Sequence, residues 1–158
     1  MSTAPRPSDL RHLIQVPNFL GHRPGTVRSV QGTVPSGEPV EFEVTERPWT
    51  LLVFLTSACD GCEELWRAFA DPESLPFPRD VDAVVVTRGP RFEAPDKVAR
   101  LAGSGSVVMS DDAWTDYGVH TGPFYVLVDG AAVRVVTEGV AWSLEQIASS
   151  VSTARGDA

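Results

Sequence analysis

The feature that most constrains this chain is Cys59-Asp60-Gly61-Cys62, a C-x-x-C that holds the only two cysteines among 158 residues. Before it runs Thr50-Leu51-Leu52-Val53-Phe54-Leu55, a continuous apolar stretch of strand length. After it runs Glu63-Glu64-Leu65-Trp66-Arg67-Ala68-Phe69-Ala70, which reads as a helix. A C-x-x-C at a strand-to-helix junction puts the first sulfur at a helix N-terminus, where unpaired N–H groups and the helix dipole favour a thiolate. The second cysteine then lies one turn in, near enough to close a disulfide with the first. Polar Asp60-Gly61 between them indicates an exposed turn and argues against two incidental core cysteines. Half of a structural zinc site would need two further ligands. The remaining candidates, His12, His22 and His120, lie in the N-terminal segment and a distant loop with no H-x-x-x-H spacing, so no metal is expected.

The chain has the size of one domain, and 42% hydrophobic residues supply a single core. Its 21 acidic against 13 basic residues give a net charge of −8, which excludes nucleic acid and anionic membrane surfaces as natural partners. No run of about 18 apolar residues is present to span a bilayer. Residues 1–15 lack the apolar core of a signal peptide, so a soluble, cytoplasmic protein is expected. Gly103-Ser104-Gly105-Ser106 has no following lysine and precedes a strand, so it reads as a turn and no cofactor is expected.

Proline and glycine crowd residues 1–25, read as a flexible N-terminal segment with a short helix over 10–15. A folded domain is expected over 26–152 and a disordered tail over 153–158. Thr26–Val34 and Val40–Val44 flank Pro35-Ser36-Gly37-Glu38-Pro39 and read as a hairpin. Strands follow over 50–56, Val81–Thr87, Val107–Ser110, Phe124–Val128 and Val133–Thr137, the last two joined at Asp129-Gly130. Helices are expected over 60–70, over Pro95–Ala102 with proline at its start and Gly103 past its end, and from Asp111 to near Tyr117. Trp142–Val151 reads as a closing amphipathic helix with Ser143 and Gln146 spaced as a capping box.

A second motif, Thr121-Gly122-Pro123-Phe124-Tyr125-Val126-Leu127-Val128, sets a proline before an apolar strand able to lie beside the cysteine strand. Together the two motifs resemble the thioredoxin superfamily over roughly residues 26–152, in particular bacterial thioredoxin-like reductases of the membrane-anchored cytochrome-maturation and methylamine-utilisation accessory types. The resemblance implies an α/β, three-layer thioredoxin-like fold, a central mixed sheet of four to five strands flanked by helices, here with an N-terminal β-hairpin extension. It also implies that Pro123 is cis and faces the cysteines, with Gly122 and Pro123 forming the substrate groove.

The implied activity is that of a thiol-disulfide oxidoreductase, with Cys59 as nucleophile and Cys62 as resolving cysteine. Its partners would be protein thiols and disulfides together with an unknown electron donor. Glu63 and His120 are candidate proton-transfer groups. Three positions depart from the family pattern: no aromatic precedes the cysteines in Ser57-Ala58, Val53 stands where thioredoxin carries a buried acid, and Arg67 replaces a helix proline. These departures point to a narrower partner range. Asp60 and Glu63 oppose a second negative charge, so a reducing character is expected. The alternatives are a non-catalytic binding module or redox sensor, and a peroxiredoxin-like peroxidase using Thr56 with Arg88 or Arg134.

Overall fold

The computed structural model describes residues 27–156, so the expectations for residues 1–25 lie outside the described residues. Seven strands form one sheet: β1 (Val30–Thr33), β2 (Pro39–Phe42), β3 (Trp49–Phe54), β4 (Val81–Thr87), β5 (Val107–Met109), β6 (Phe124–Asp129) and β7 (Arg134–Val140). Four α-helices accompany it: α1 (Cys62–Phe69), α2 (Pro95–Ala102), α3 (Asp111–Asp116) and α4 (Leu144–Arg155). The strand order is β2-β1-β5-β4-β3-β6-β7, with β3, β4 and β5 parallel and the remaining pairs antiparallel. The expected hairpin therefore widens the same sheet, joining it where Thr33 pairs with Met109.

Strand β3 lies between two strands and two packed faces, which explains its unbroken apolar run. Leu51, Val53 and Leu55 meet Leu65, Trp66 and Phe69 of α1, Val98 of α2 and Ile147 of α4. Leu52 and Phe54 meet Trp114 of α3, Tyr117 and Val119 on the other face. Side chains that alternate along one strand thus build two cores, giving helix, sheet and helix layers. Among the described residues no helix is long and apolar enough to cross a membrane.

Three local expectations need correction. The first hairpin strand covers only Val30–Thr33, because β1 pairs with β2 over four residues and touches β5 at one. The β6–β7 connection spans Gly130 to Val133, not a two-residue turn. Asp129 Oδ1 accepts from the Ala132 N–H (3.1 Å), and Val133 takes a φ of 52° to finish that longer loop. The last helix runs to Arg155 and closes on Gly156 at a φ of 78°, so residues 153–155 are helical where a tail was expected. Arg155 holds Asp80 at 2.8 Å, which ties down that final turn. The capping box is present, with Ser143 Oγ accepting from Gln146 N (3.1 Å) and Gln146 Oε1 accepting from Ser143 N (3.4 Å).

The segment before β1 is anchored by Tyr117, only 2% exposed, whose hydroxyl accepts from Arg28 N (3.1 Å) and donates to the Arg28 carbonyl. Burial pushes the Tyr117 phenol up to about 12, and the nearby Asp116 and Glu43 carboxylates add to the rise. Its unfolded value is about 10, so the stabilisation is complete below pH 10 and is lost as pH climbs to about 12. A shift of this size corresponds to roughly 2–3 kcal/mol. Alkaline unfolding followed by circular dichroism should therefore steepen between pH 10 and 12. Tyr117→Phe should remove that component, and an unchanged decline in the variant would assign it elsewhere.

Candidate active site

The cysteines stand on the connection from β3 to α1, which is pinned at several points along its length. Leu55 N–H donates to the Val86 carbonyl (3.2 Å), continuing the strand pairing one residue past Phe54. Trp66 Nε1–H donates to the Thr56 carbonyl (3.0 Å), reaching back from α1. Cys62 N–H donates to the Cys59 carbonyl (3.3 Å), so the four motif residues form a closed turn. Gly61 takes a φ of 85°, a left-handed conformation that glycine adopts without a Cβ penalty.

Helix α1 thus opens at Cys62, not near residue 60, and Gly61 is its N-cap. This moves the expected placement by a turn: Cys59 sits in the turn ahead of the helix and Cys62 takes its first position. The two sulfurs are bonded as a disulfide with Cα atoms 5.5 Å apart, well within the span such a bond allows. Cys62 is buried at 1% exposure beneath Leu65 and Trp66, while Cys59 is half-buried. A partner can reach the first sulfur far more easily than the second.

Gly122 and Pro123 approach from the neighbouring strand. Phe124 opens β6 opposite Phe54, the last residue of β3, so the proline lies at the same end of the sheet as the cysteines. The Gly122–Pro123 peptide bond is cis, and the Pro123 carbonyl accepts from Ala141 N (3.0 Å). A Cβ at Gly122 would come within 2.9 Å of the Phe54 carbonyl and 3.3 Å of the Trp114 ring, so only glycine fits without displacement.

The candidate proton-transfer residues are less enclosed. Glu63 is exposed and pairs with Arg67 one turn along α1 at 2.8 Å, an exposed pair worth about 0.3–0.5 kcal/mol. His120 is exposed on the loop before Gly122, and its carbonyl accepts from Arg88 Nη2 at 3.5 Å. Arg88 also lies 4.3 Å over the Trp114 ring, at the cysteine end of the sheet. Arg134 lies at the far end, where it pairs with Asp129 beside Trp49, which removes it as a partner for Cys59. Among the described residues no cluster of three or more His, Cys, Asp or Glu side chains is placed to hold a metal ion.

One residue of the site escaped the sequence reading. Glu93, on the loop between β4 and α2, is buried at 6% exposure, and its carboxylate grips Ser57 two residues before Cys59. Ser57 N–H donates to one oxygen (2.8 Å) and Ser57 Oγ–H to the other (2.5 Å). No local pattern marks Glu93. The available signal was topological: β3 and β4 are parallel neighbours, so the loops leaving their C-terminal ends meet on one edge.

No protein-family model matches the chain, and no curated protein does either. Solved structures do match it over most of its length. The thioredoxin domain of a thiol-disulfide oxidoreductase from Bacteroides vulgatus is 16% identical, with a TM-score of 0.63 over 83% of this chain and 96% of that one. A thiol:disulfide interchange protein from Bacteroides sp. is 17% identical, with a TM-score of 0.60 over 84% of this chain and 90% of that one. StoA from Bacillus subtilis is 17% identical, with a TM-score of 0.61 over 78% of this chain and 97% of that one. The chain has the thioredoxin-like fold.

Proposed function

We propose that this protein is a thiol-disulfide oxidoreductase that exchanges electrons with cysteines of partner proteins through Cys59 and Cys62, leaning toward reduction. The observation that carries this reading is the unequal burial of two bonded sulfurs on a closed turn at the head of α1, at the same sheet end as Gly122-Pro123. The thiol:disulfide interchange activity named for the similar structures supports it. In the reduced protein, Cys59 thiolate attacks one sulfur of a partner disulfide and releases the other as a thiol. Cys62, once deprotonated, attacks Cys59 Sγ in the mixed disulfide, freeing the partner's second thiol and restoring the Cys59–Cys62 bond. Two electrons pass to the partner, and a dithiol reductant must return them.

Asp60, Glu63 and Glu64 are all exposed around the motif and disfavour a thiolate, which supports the reducing direction. Alkylation of the reduced protein at neutral pH should label Cys59 at least roughly tenfold faster than Cys62, as its access requires. The same protein should accelerate reduction of insulin by dithiothreitol. A chain that acts only as a binding module or sensor would leave that rate unchanged, and faster labelling of Cys62 would exchange the two roles.

A further inference from the structure

The geometry points to Glu93 as the positioning residue that sets the redox poise of the Cys59–Cys62 pair, supplying from another loop the buried charge that Val53 cannot. This rests on the reading of Cys59 and Cys62 as an exchanging pair.

Three observations carry it. First, both Glu93 oxygens accept hydrogen bonds, from Ser57 N–H and Ser57 Oγ–H, the acceptor-only pattern of an ionised carboxylate. Second, among the described residues no cation lies within ion-pair distance of Glu93, so its charge is not neutralised by a partner. Third, Ser57 stands two positions before Cys59 with only Ala58 between them, no more than about 7 Å of chain. Glu93 is 6% exposed, so water screens its carboxylate far less than it screens Asp60, Glu63 or Glu64 on the surface.

Position Val53 is fully buried in β3 and carries no charge. Glu93 arrives at the same end of the sheet from the loop that follows β4. That loop is itself fixed: Glu93 N–H donates to the Gly89 carbonyl (3.1 Å), and Gly89 N–H donates to Asp111 Oδ1 (2.9 Å) at the start of α3. Of its two arginines, Arg88 stacks on Trp114 at 4.3 Å and Arg91 lies 5.9 Å from the Phe92 ring.

Reduction of the pair by a partner dithiol breaks the Cys59–Cys62 bond with two electrons and oxidises the partner to a disulfide. One of the two partner protons ends on Cys62; the other divides between Cys59 and solvent. A buried negative charge beside Cys59 works against the fraction that leaves Cys59 ionised. It thereby holds the reduced form at higher energy and makes the pair a stronger reductant. A charge at this range changes a thiol's ionisation by roughly tenfold.

The test is equilibration of the full chain with glutathione, together with the pH dependence of Cys59 alkylation. Glu93→Gln should favour the dithiol by about tenfold, equal to about 30 mV for two electrons, and lower the pH at which Cys59 begins to react. Ser57→Ala keeps the charge and removes one donor to it, so it should shift the equilibrium less than about twofold, or toward the disulfide. Glu93→Asp should stay nearer the native value than Glu93→Gln does. Equal shifts toward the dithiol in Ser57→Ala and Glu93→Gln would show that Glu93 only braces the loop and would overturn the proposal. If Glu93→Gln does not fold, a tenfold shift toward the dithiol in Ser57→Ala overturns it equally. A native pair that does not exchange with glutathione at all overturns the oxidoreductase reading and this inference with it, whereas normal exchange with an unshifted Glu93→Gln removes only the inference.

Discussion

Cys62→Ser is expected to leave a folded chain that captures partner proteins and does not release them. Cys59 keeps its access, so it still attacks a partner disulfide, but no buried thiol remains to resolve the mixed disulfide. Multiple-turnover reduction should fall on the order of a thousandfold, as when one member of a covalent unit is lost. Cys59→Ser should fall as far without capturing anything, because the nucleophile itself is gone. Neither change should unfold the protein: the cross-link closes a loop of a few residues and is worth about 2 kcal/mol by the loop-entropy relation. Non-reducing electrophoresis separates the outcomes, since trapped adducts in Cys62→Ser disappear on adding a reductant. Adducts in Cys59→Ser, with none in Cys62→Ser, would reverse the assigned roles.

Much of the fold follows from local chemistry. The bounds Val81–Thr87 and Pro95–Ala102 agree with the structure because strong signals flank them: Arg88-Gly89-Pro90 ends the strand, and Pro95 and Gly103 bracket the helix. The Ser143–Gln146 capping box was equally legible, because it needs only a three-residue spacing. What stayed hidden depends on contacts distant in sequence. The helix start at Cys62 is set by the turn hydrogen bond from Cys62 to Cys59 and the left-handed Gly61, which composition alone does not place. Helix α4 outlasts its apolar pattern because Arg155 finds Asp80 across the molecule. Glu93 is the clearest case. It reads as a surface glutamate in a loop with two arginines, and only the parallel pairing of β3 with β4 delivers it to Ser57.

Trp114→Ala should be the most destabilising of the changes considered, and its effect should reach the site. Trp114 is 1% exposed, meets Phe54 edge-on with ring centroids 5.3 Å apart, and carries Arg88 over its face at 4.3 Å. It also lies against Gly122, which precedes Pro123. Removing so large a ring from a closed core costs about 3–5 kcal/mol. Domains of this size shift by roughly 2–4 °C per kcal/mol, so the thermal midpoint should fall by about 10 °C. Trp114→Phe should cost much less. It keeps a ring for Phe54 and Arg88, and the indole Nε1–H it deletes has no hydrogen-bond partner among the described residues. The alanine variant loosens the two loops that meet on Trp114, Arg88 with its neighbours and Gly122-Pro123. Exchange with a protein disulfide should therefore slow more than exchange with glutathione, which depends on Cys59, Cys62 and the Glu93 charge but not on a surface around Gly122-Pro123. Equal slowing of both reactions would mean that Trp114 acts through the cysteine turn itself and not through the surface that receives a partner.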